Sequence, residues 1–417
     1  MVREMKNSNV EWLADIPADW SLRQVGNLAT QTKVPNAGLV EKNLLSLSYG
    51  NIRRRDISSN EGLLPASYET YNVIEPNDIV LRFTDLQNDQ KSLRVGLSKE
   101  KGIITSAYTT IRPHDSEDAR YIYYALHAFD LRKGFYGMGS GVRQGLKWQE
   151  AKCIVIPWPS SSLRERIADY LDAKSAEIDR TIAGAESSIA EYKVYRQSLV
   201  CQTALRGINP NGRELRDTGF SSIGSAPSSW QITRGKNVLR LLNRPVRGDD
   251  GVITCFRDGE VTLRSSRRTE GFTVSLKEIG YQGIEPGDLV VHSMDGFAGS
   301  IGISDSRGKA SPVLNVLDSS QNKRYLMYYL RALAYRDVYL ALADGIRVRS
   351  WNLSWRKIGK LPILVPPPDE QRQIANYLDS RLAAIDRTIT AKQYIIDDLK
   401  AYKQSLIYEV VTGKREV

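Results

Sequence analysis

The 417 residues run through one pattern twice, and no other feature of the sequence limits the fold so strongly. Lys6-Asn7-Ser8-Asn9 through Ile16-Pro17-Ala18-Asp19-Trp20 aligns, 210 residues on, with Arg216-Asp217-Thr218-Gly219 through Ala226-Pro227-Ser228-Ser229-Trp230. Ile74-Glu75-Pro76-Asn77-Asp78-Ile79-Val80 returns at the same offset as Ile284-Glu285-Pro286-Gly287-Asp288-Leu289-Val290. The offset then drifts to 206 at Gly96-Leu97-Ser98 and Gly302-Ile303-Ser304, and to 204 at Gly141-Val142-Arg143 and Gly345-Ile346-Arg347. From Leu146-Lys147-Trp148, matched by Leu353-Ser354-Trp355, it settles at 207 and carries Tyr170-Leu171-Asp172 onto Tyr377-Leu378-Asp379 and Gln197-Ser198-Leu199 onto Gln404-Ser405-Leu406.

Each copy therefore has a part that tolerates insertions and a part that does not. Variable loops on a globule behave the first way. A helix facing a partner along its length behaves the second way, because one inserted residue rotates all that follow by about 100°. Heptads confirm that division. Leu171, Ile178, Ala185, Tyr192 and Leu199 recur every seven residues, with Ser175, Ile182, Ile189, Arg196 and Thr203 as a second seam. In the second copy Leu378, Ile385, Lys392, Leu399 and Leu406 are joined by Leu382, Ile389, Ile396, Lys403 and Val410. The helix-packing set is expected to be Leu171, Ile178, Ile182, Ile189, Leu199, Leu378, Ile385, Ile389, Ile396 and Leu406. Lys392 and Lys403 interrupt the second seam and predict local splaying or stems that snorkel. Ser162 and Glu165 are spaced as a capping box, Asp369 is the expected N-cap of the second helix, and Gly207 and Gly413 are the expected stops. About 43 residues per helix predict a rod of about 65 Å.

The parts before the helices mix short β-rich runs, such as Asp78 to Phe83 and Asp288 to His292, with one helical stretch each, at Tyr121 to Leu126 and Tyr325 to Leu330. The expected fold class is α+β: two similar α/β globules joined by two long antiparallel coiled-coil helices, related by an internal pseudo-twofold repeat. The expected divisions are 1–162, a helix at 163–207, 208–368, and a helix at 369–417.

Charge separates the parts again. The chain carries a net charge of +10, yet residues 163–207 hold 7 basic and 7 acidic side chains and 369–417 hold 8 and 8. Residues 16–160 hold 18 basic against 15 acidic, and 226–366 hold 21 against 13. A basic excess on the loop-rich parts suits a polyanion, since Lys and Arg neutralise phosphates and Arg can pair with guanine edges. Neutral helices suit protein contact. The candidate DNA-binding residues are Arg53, Arg54 and Arg55; Arg264, Arg267 and Arg268; and two glycine-rich runs, Gly139 to Trp148 with Arg143, Gln144 and Lys147, and Gly345 to Asn352 with Arg347, Arg349 and Asn352. Glycine lets a backbone approach a surface closely, and Arg, Gln and Asn match base edges.

Catalytic readings fare worse. Three cysteines far apart and three histidines without helical spacing support neither a disulfide framework nor a metal site. Phe135-Tyr136-Gly137-Met138-Gly139 imitates an adenosylmethionine loop, but it follows a helical stretch and has no Asp/Asn-Pro-Pro-Tyr/Phe partner. Asp78 with Asp89-Gln90-Lys91 imitates a nuclease set that the second copy lacks, and Gly302 to Lys309 is one residue too long for a phosphate-binding loop. No long apolar run and no apolar leader occur, so the expectation is a cytoplasmic protein, not an enzyme.

These residues resemble the specificity (S) subunits of Type I restriction-modification systems. The resemblance covers essentially the whole chain and is carried by Asn9 to Trp20, the helix start Pro159 to Asp172 repeated at Pro366 to Asp379, the helix end Leu406 to Lys414, and the duplicated layout. It implies two target recognition domains, each reading one half of a bipartite asymmetric DNA target from the major groove. It implies helices that set the spacing and dock two methyltransferase (M) subunits, with restriction (R) subunits joining the complex. S-adenosylmethionine, ATP and Mg are implied on partner subunits and no cofactor on this chain. A competing expectation is a non-enzymatic coiled-coil protein-protein adaptor without sequence-specific DNA binding.

Overall fold

The computed structural model describes residues 3–56, 67–86, 89, 92–138, 145–267, 278–341 and 353–417. Four helices organise these residues: α1 (Ala119–Leu131), α2 (Ser161–Arg206), α3 (Lys323–Tyr335) and α4 (Pro368–Val411). The chain forms two compact units, Met1–Ala185 with Tyr394–Val417, and Glu186–Gln393. Their boundaries fall inside α2 and α4 rather than at the helix ends, because each half-helix packs with the globule beside it.

The globules share one topology. In the first unit a four-stranded antiparallel sheet runs in the order Ala29–Thr32, Thr109–Pro113, Ile79–Leu81, Val95–Leu97. In the second the order is Arg240–Leu241, Leu314–Asp318, Leu289–His292, Ile301–Ile303. The repeated Ile-Glu-Pro-x-Asp segment has a structural task at the start of a central strand. The buried Asp78 carboxylate accepts from the Glu75 N–H (2.8 Å) and from Arg112 (2.7 and 2.8 Å). Buried Asp288 does the same for the Glu285 N–H (2.8 Å) and pairs with Arg244. A buried carboxylate satisfied this way closes a turn.

A second strand pair ties each sheet to its long helix. Ser21–Gln24 pairs with Val155–Trp158, which leads into α2, and Gln231–Arg234 pairs with Pro362–Val365, which leads into α4. The segment before each globule docks on a helix end. In the first unit the Tyr408 hydroxyl donates to the Trp12 carbonyl (3.1 Å) and Lys414 to that of Leu13 (3.1 Å). In the second, Val200, Ala204 and Leu205 of α2 join Ile223, Ala226 and Trp230 in one core. Gly413 has a φ of 71°, and a Cβ there would sit 2.4 Å from Pro17 Cγ, so glycine serves both the helix stop and the close approach.

Leu171, Ile178, Ile182, Ile189, Leu199, Leu378, Ile385, Ile396 and Leu406 are buried, and Ile389 is half-buried against the second core. Burial of each such side chain stabilises by about 1.5–3 kcal/mol. Within each unit the two helix segments run in opposite directions. Lys403 pairs with Asp179 at 2.8 Å and Arg166 reaches Val417 in the first unit; Arg196 pairs with Asp386 at 3.1 Å in the second. The polar seam residues snorkel: Lys403 spends its charge on Asp179, and the Lys392 ammonium lies 5.9 Å from the Tyr192 ring centre.

Both helix starts differ from the sequence expectation. The N–H groups of Leu163 and Arg164 donate to the Ser160 carbonyl (3.1 and 2.9 Å), so α2 starts at Ser161 and Ser162 lies within its first turn, where it cannot cap. α4 starts at Pro368, whose missing N–H costs nothing at that place, and the Asp369 carboxylate instead accepts from Arg372 (2.7 Å).

Candidate nucleic-acid interface

Arg53 and Arg54 end a tight hairpin, Leu45–Ser48 with Asn51–Arg54, whose two turn residues Tyr49 and Gly50 have φ of 46° and 78°. Positive φ at both fits the turn type whose twist matches the strands. Ile52 opposes Leu47 and packs on the first core, so Arg53, opposite Ser46, takes the solvent face. Arg54 turns to Glu100, with its Nε 2.9 and 2.7 Å from the two carboxylate oxygens, and each group holds the other in its charged form. Arg53 and Arg55 have no ion pair among the described residues. The three neighbours thus separate into one arginine paired within the globule and two exposed arginines with no ion pair among the described residues.

The second globule shows a comparable hairpin, Ile253–Cys255 with Val261–Leu263, followed by a turn of helix at Arg264–Arg267. Arg264 Nε donates to the Thr254 hydroxyl (3.3 Å). Arg267 pairs with Asp258 and with Glu260 (2.6 Å) and stacks 4.3 Å from the Phe256 ring centre, so its charge is answered within the hairpin. Arg268 lies outside the described residues, as do Arg143, Gln144, Arg347, Arg349 and Asn352.

The last residues of the first glycine-rich run are described, as is Leu353, which follows the second, and the two places are held alike. The Leu146 N–H donates to the Phe83 carbonyl (3.1 Å), and the Leu353 N–H to that of Ser293 (2.8 Å). Both acceptors lie just beyond the equivalent central strands. Lys147 is exposed, and its backbone N–H donates to Glu150 (2.9 Å) at the start of a short helical turn. Arg356 and Lys360, outside the set expected from sequence, are exposed just after the second run. Their signal was a basic cluster continuing past Asn352.

Two other cations are inaccessible. Arg94 is fully buried and donates to the carbonyls of Arg82 (3.2 Å), Thr84 (2.8 Å) and Asp85 (3.2 Å), clipping the stretch that receives Leu146. Buried Arg331 on α3 donates to the carbonyls of Ile301 (2.7 Å) and Gly259 (3.0 Å). Each globule thus spends one buried guanidinium on shaping loops, satisfied by carbonyls rather than carboxylates. His292 Nδ1 accepts from the N–H groups of Met294 (3.2 Å) and Asp295 (3.1 Å), and burial lowers its pKa, so it shapes the loop after its strand as a neutral ring. Among the described residues no cluster of three or more metal-ligating side chains occurs, and no helix is long and apolar enough to cross a membrane.

No family model matches the chain. It is 22% identical over 210 residues to the Type I restriction enzyme EcoKI specificity subunit of Escherichia coli strain K12, covering 46% of this chain and 45% of that protein. It is 26% identical over 213 residues to the Escherichia coli EcoBI specificity subunit, covering 49% and 44%. The chain spans about half the length of the curated relatives it matches. A solved chain from work on the complex assembly and conformational transition of the type I R-M system superposes with a TM-score of 0.66 at 14% identity, over 96% of this chain and 99% of that one. The HsdS subunit from Thermoanaerobacter tengcongensis superposes with a TM-score of 0.50 at 14% identity, over 96% and 98%. The fold is that of a Type I specificity subunit.

Proposed function

We propose that the chain is the DNA sequence-specificity subunit of a Type I restriction-modification complex, a non-catalytic component in which each globule reads one half of a bipartite asymmetric target. The observation that carries this is the equivalent bonding of Leu146 and Leu353, at the ends of the two glycine- and arginine-rich runs of the sequence, to residues just beyond matching strands of two similar sheets, in the parts of the chain with a basic excess. Phosphate contacts by Arg53, Arg55, Lys147, Arg356 and Lys360 orient the duplex, while side chains of the runs read base edges. In this reading α2 and α4 form an antiparallel coiled coil that sets the spacing and docks two M subunits. S-adenosylmethionine, ATP and Mg then belong to the M and R subunits. The curated similarity to specificity subunits supports the role, and the adaptor alternative leaves the placement of basic charge without a task.

The test is binding of the purified full chain to mixed-sequence duplex DNA over a salt series. Phosphate contacts predict that log affinity falls linearly with log salt, with a slope near −0.9 for each phosphate neutralised and about four or more phosphates in all. Affinity that is flat with salt, or absent at low salt, contradicts DNA contact and favours the adaptor.

A further inference from the structure

The same joint holds each globule to the long helix that follows it. In the first unit Arg120 Nη1 on α1 reaches Asp169 (2.6 Å) and Asp172 (2.9 Å) on α2, and the Tyr124 hydroxyl donates to the other Asp172 oxygen (2.7 Å). In the second, Arg324 on α3 reaches Asp379 and Asn376 (2.8 Å) on α4, and the Tyr328 hydroxyl donates to Asp379 (2.6 Å). Beside these, buried Tyr121 donates to the Pro157 carbonyl (2.7 Å) and buried Tyr325 to that of Leu364 (2.9 Å), each in the strand that leads into the helix.

A third contact keeps its place while changing its chemistry. Arg164 at the start of α2 binds Asp118 (2.6 and 3.1 Å), whereas in the second unit Gln371 accepts from the Asn322 N–H (2.9 Å) and donates to Gln321 (2.7 Å). Three bonds in a row, retained where one has exchanged an ion pair for amides, indicate that the geometry is what matters. Stability does not account for it. The Asp172 and Asp379 side chains are 48% and 37% exposed, and pairs so placed add little to stability.

We propose that this joint is a latch fixing how each globule is turned on its own long helix, and that Asp172 and Asp379 are positioning residues that confine recognition to one spacer length. The inference rests on the specificity reading above. An arginine and a phenol converging on one carboxylate restrain both tilt and rotation, which a hydrophobic seam alone leaves soft. A globule free to turn would present its base-reading loops over a range of positions along the duplex, and half-sites one base pair closer or further apart would be accepted.

The test uses the full chain with its methyltransferase in cells, and a plasmid library carrying both methylated half-sites at spacers from two base pairs shorter to two longer than the wild-type spacing. Wild type methylates one spacer. Asp172→Ala and Asp379→Ala are expected to lower the preference for that spacer over its neighbours by up to about fivefold, the most that pairs so exposed supply, with half-site sequences unchanged. Asp172→Asn retains an acceptor for Tyr124 and recovers part of the preference, and Tyr124→Phe, which removes one hydroxyl and leaves the core intact, shifts it the same way by less. An unchanged spacer profile in Asp172→Ala and Tyr124→Phe, with the motif still methylated, overturns the latch alone. Altered half-site bases at an unchanged spacer overturn it too. A wild-type chain that directs no bipartite methylation overturns the specificity reading and the latch with it.

Discussion

His127 on α1 is buried beside the Tyr123 ring, its Nδ1 has no hydrogen-bond partner among the described residues, and desolvation with the nearby Lys403 charge pushes its pKa from 6.5 down to about 4. The unfolded chain therefore binds a proton at pH 5 that the folded chain excludes. Stability from this residue is complete above pH 6.5 and is lost as pH falls toward 4. Three residues on, Asp130 is pushed by burial from 3.8 up to about 6, so its neutral form favours the fold at low pH and it opposes His127 over much of the same window. Comparison with His127→Asn separates them, since both proteins keep Asp130. Between pH 7 and pH 4.5 wild type is expected to lose on the order of 2–3 kcal/mol relative to that variant, measured by urea unfolding. Parallel pH profiles would mean that His127 takes up its proton as readily in the fold as in the unfolded chain. Arg54 and Arg267 carry a different lesson. Both read from sequence as free cations, yet one answers a carboxylate 46 residues away and the other a carboxylate across its own hairpin. Pairing that depends on which strands meet is not legible from local charge.

The helices were the most legible elements, because a heptad in duplicate names the buried positions before any packing is known. Their ends were less so. Ser162 and Glu165 have capping-box spacing, but Pro159 ends the preceding strand early enough for Ser160 to supply the first acceptor, and helix begins at Ser161. The polar residues of the seam were legible as interruptions only; that Lys403 meets Asp179 depends on the antiparallel register of segments 224 residues apart. Leu171, Ile178 and Ile385 are buried in these segments, so replacement of each by Asn removes an apolar contact and buries an amide. Each change is expected to cost about 2–5 kcal/mol, read as a lowered unfolding midpoint. On the proposed docking, the triple variant mixed with the methyltransferase should fail to hold M subunits on size exclusion while far-UV signal from the sheets persists. A triple variant that remains assembled and active would contradict a packed two-helix scaffold.

At the scale of the whole molecule, the repeat matters because it makes two globules of one topology with different side chains. Arg53 and Arg55 on one hairpin face Arg264 and Arg267 on its counterpart only in the alignment of the copies; in the fold they have different partners and different exposure. Two globules of one topology and unlike loops are suited to two unlike half-sites, which is the content of an asymmetric bipartite target. The decisive measurement is modified-base sequencing of DNA from cells carrying this chain with its methyltransferase, from cells lacking only this chain, and from cells carrying Arg347→Ala. The account predicts a bipartite adenine-methylated motif that vanishes without the chain and that loses selectivity in one half alone when Arg347 is replaced. Methylation that persists unchanged in the absence of the chain would contradict it.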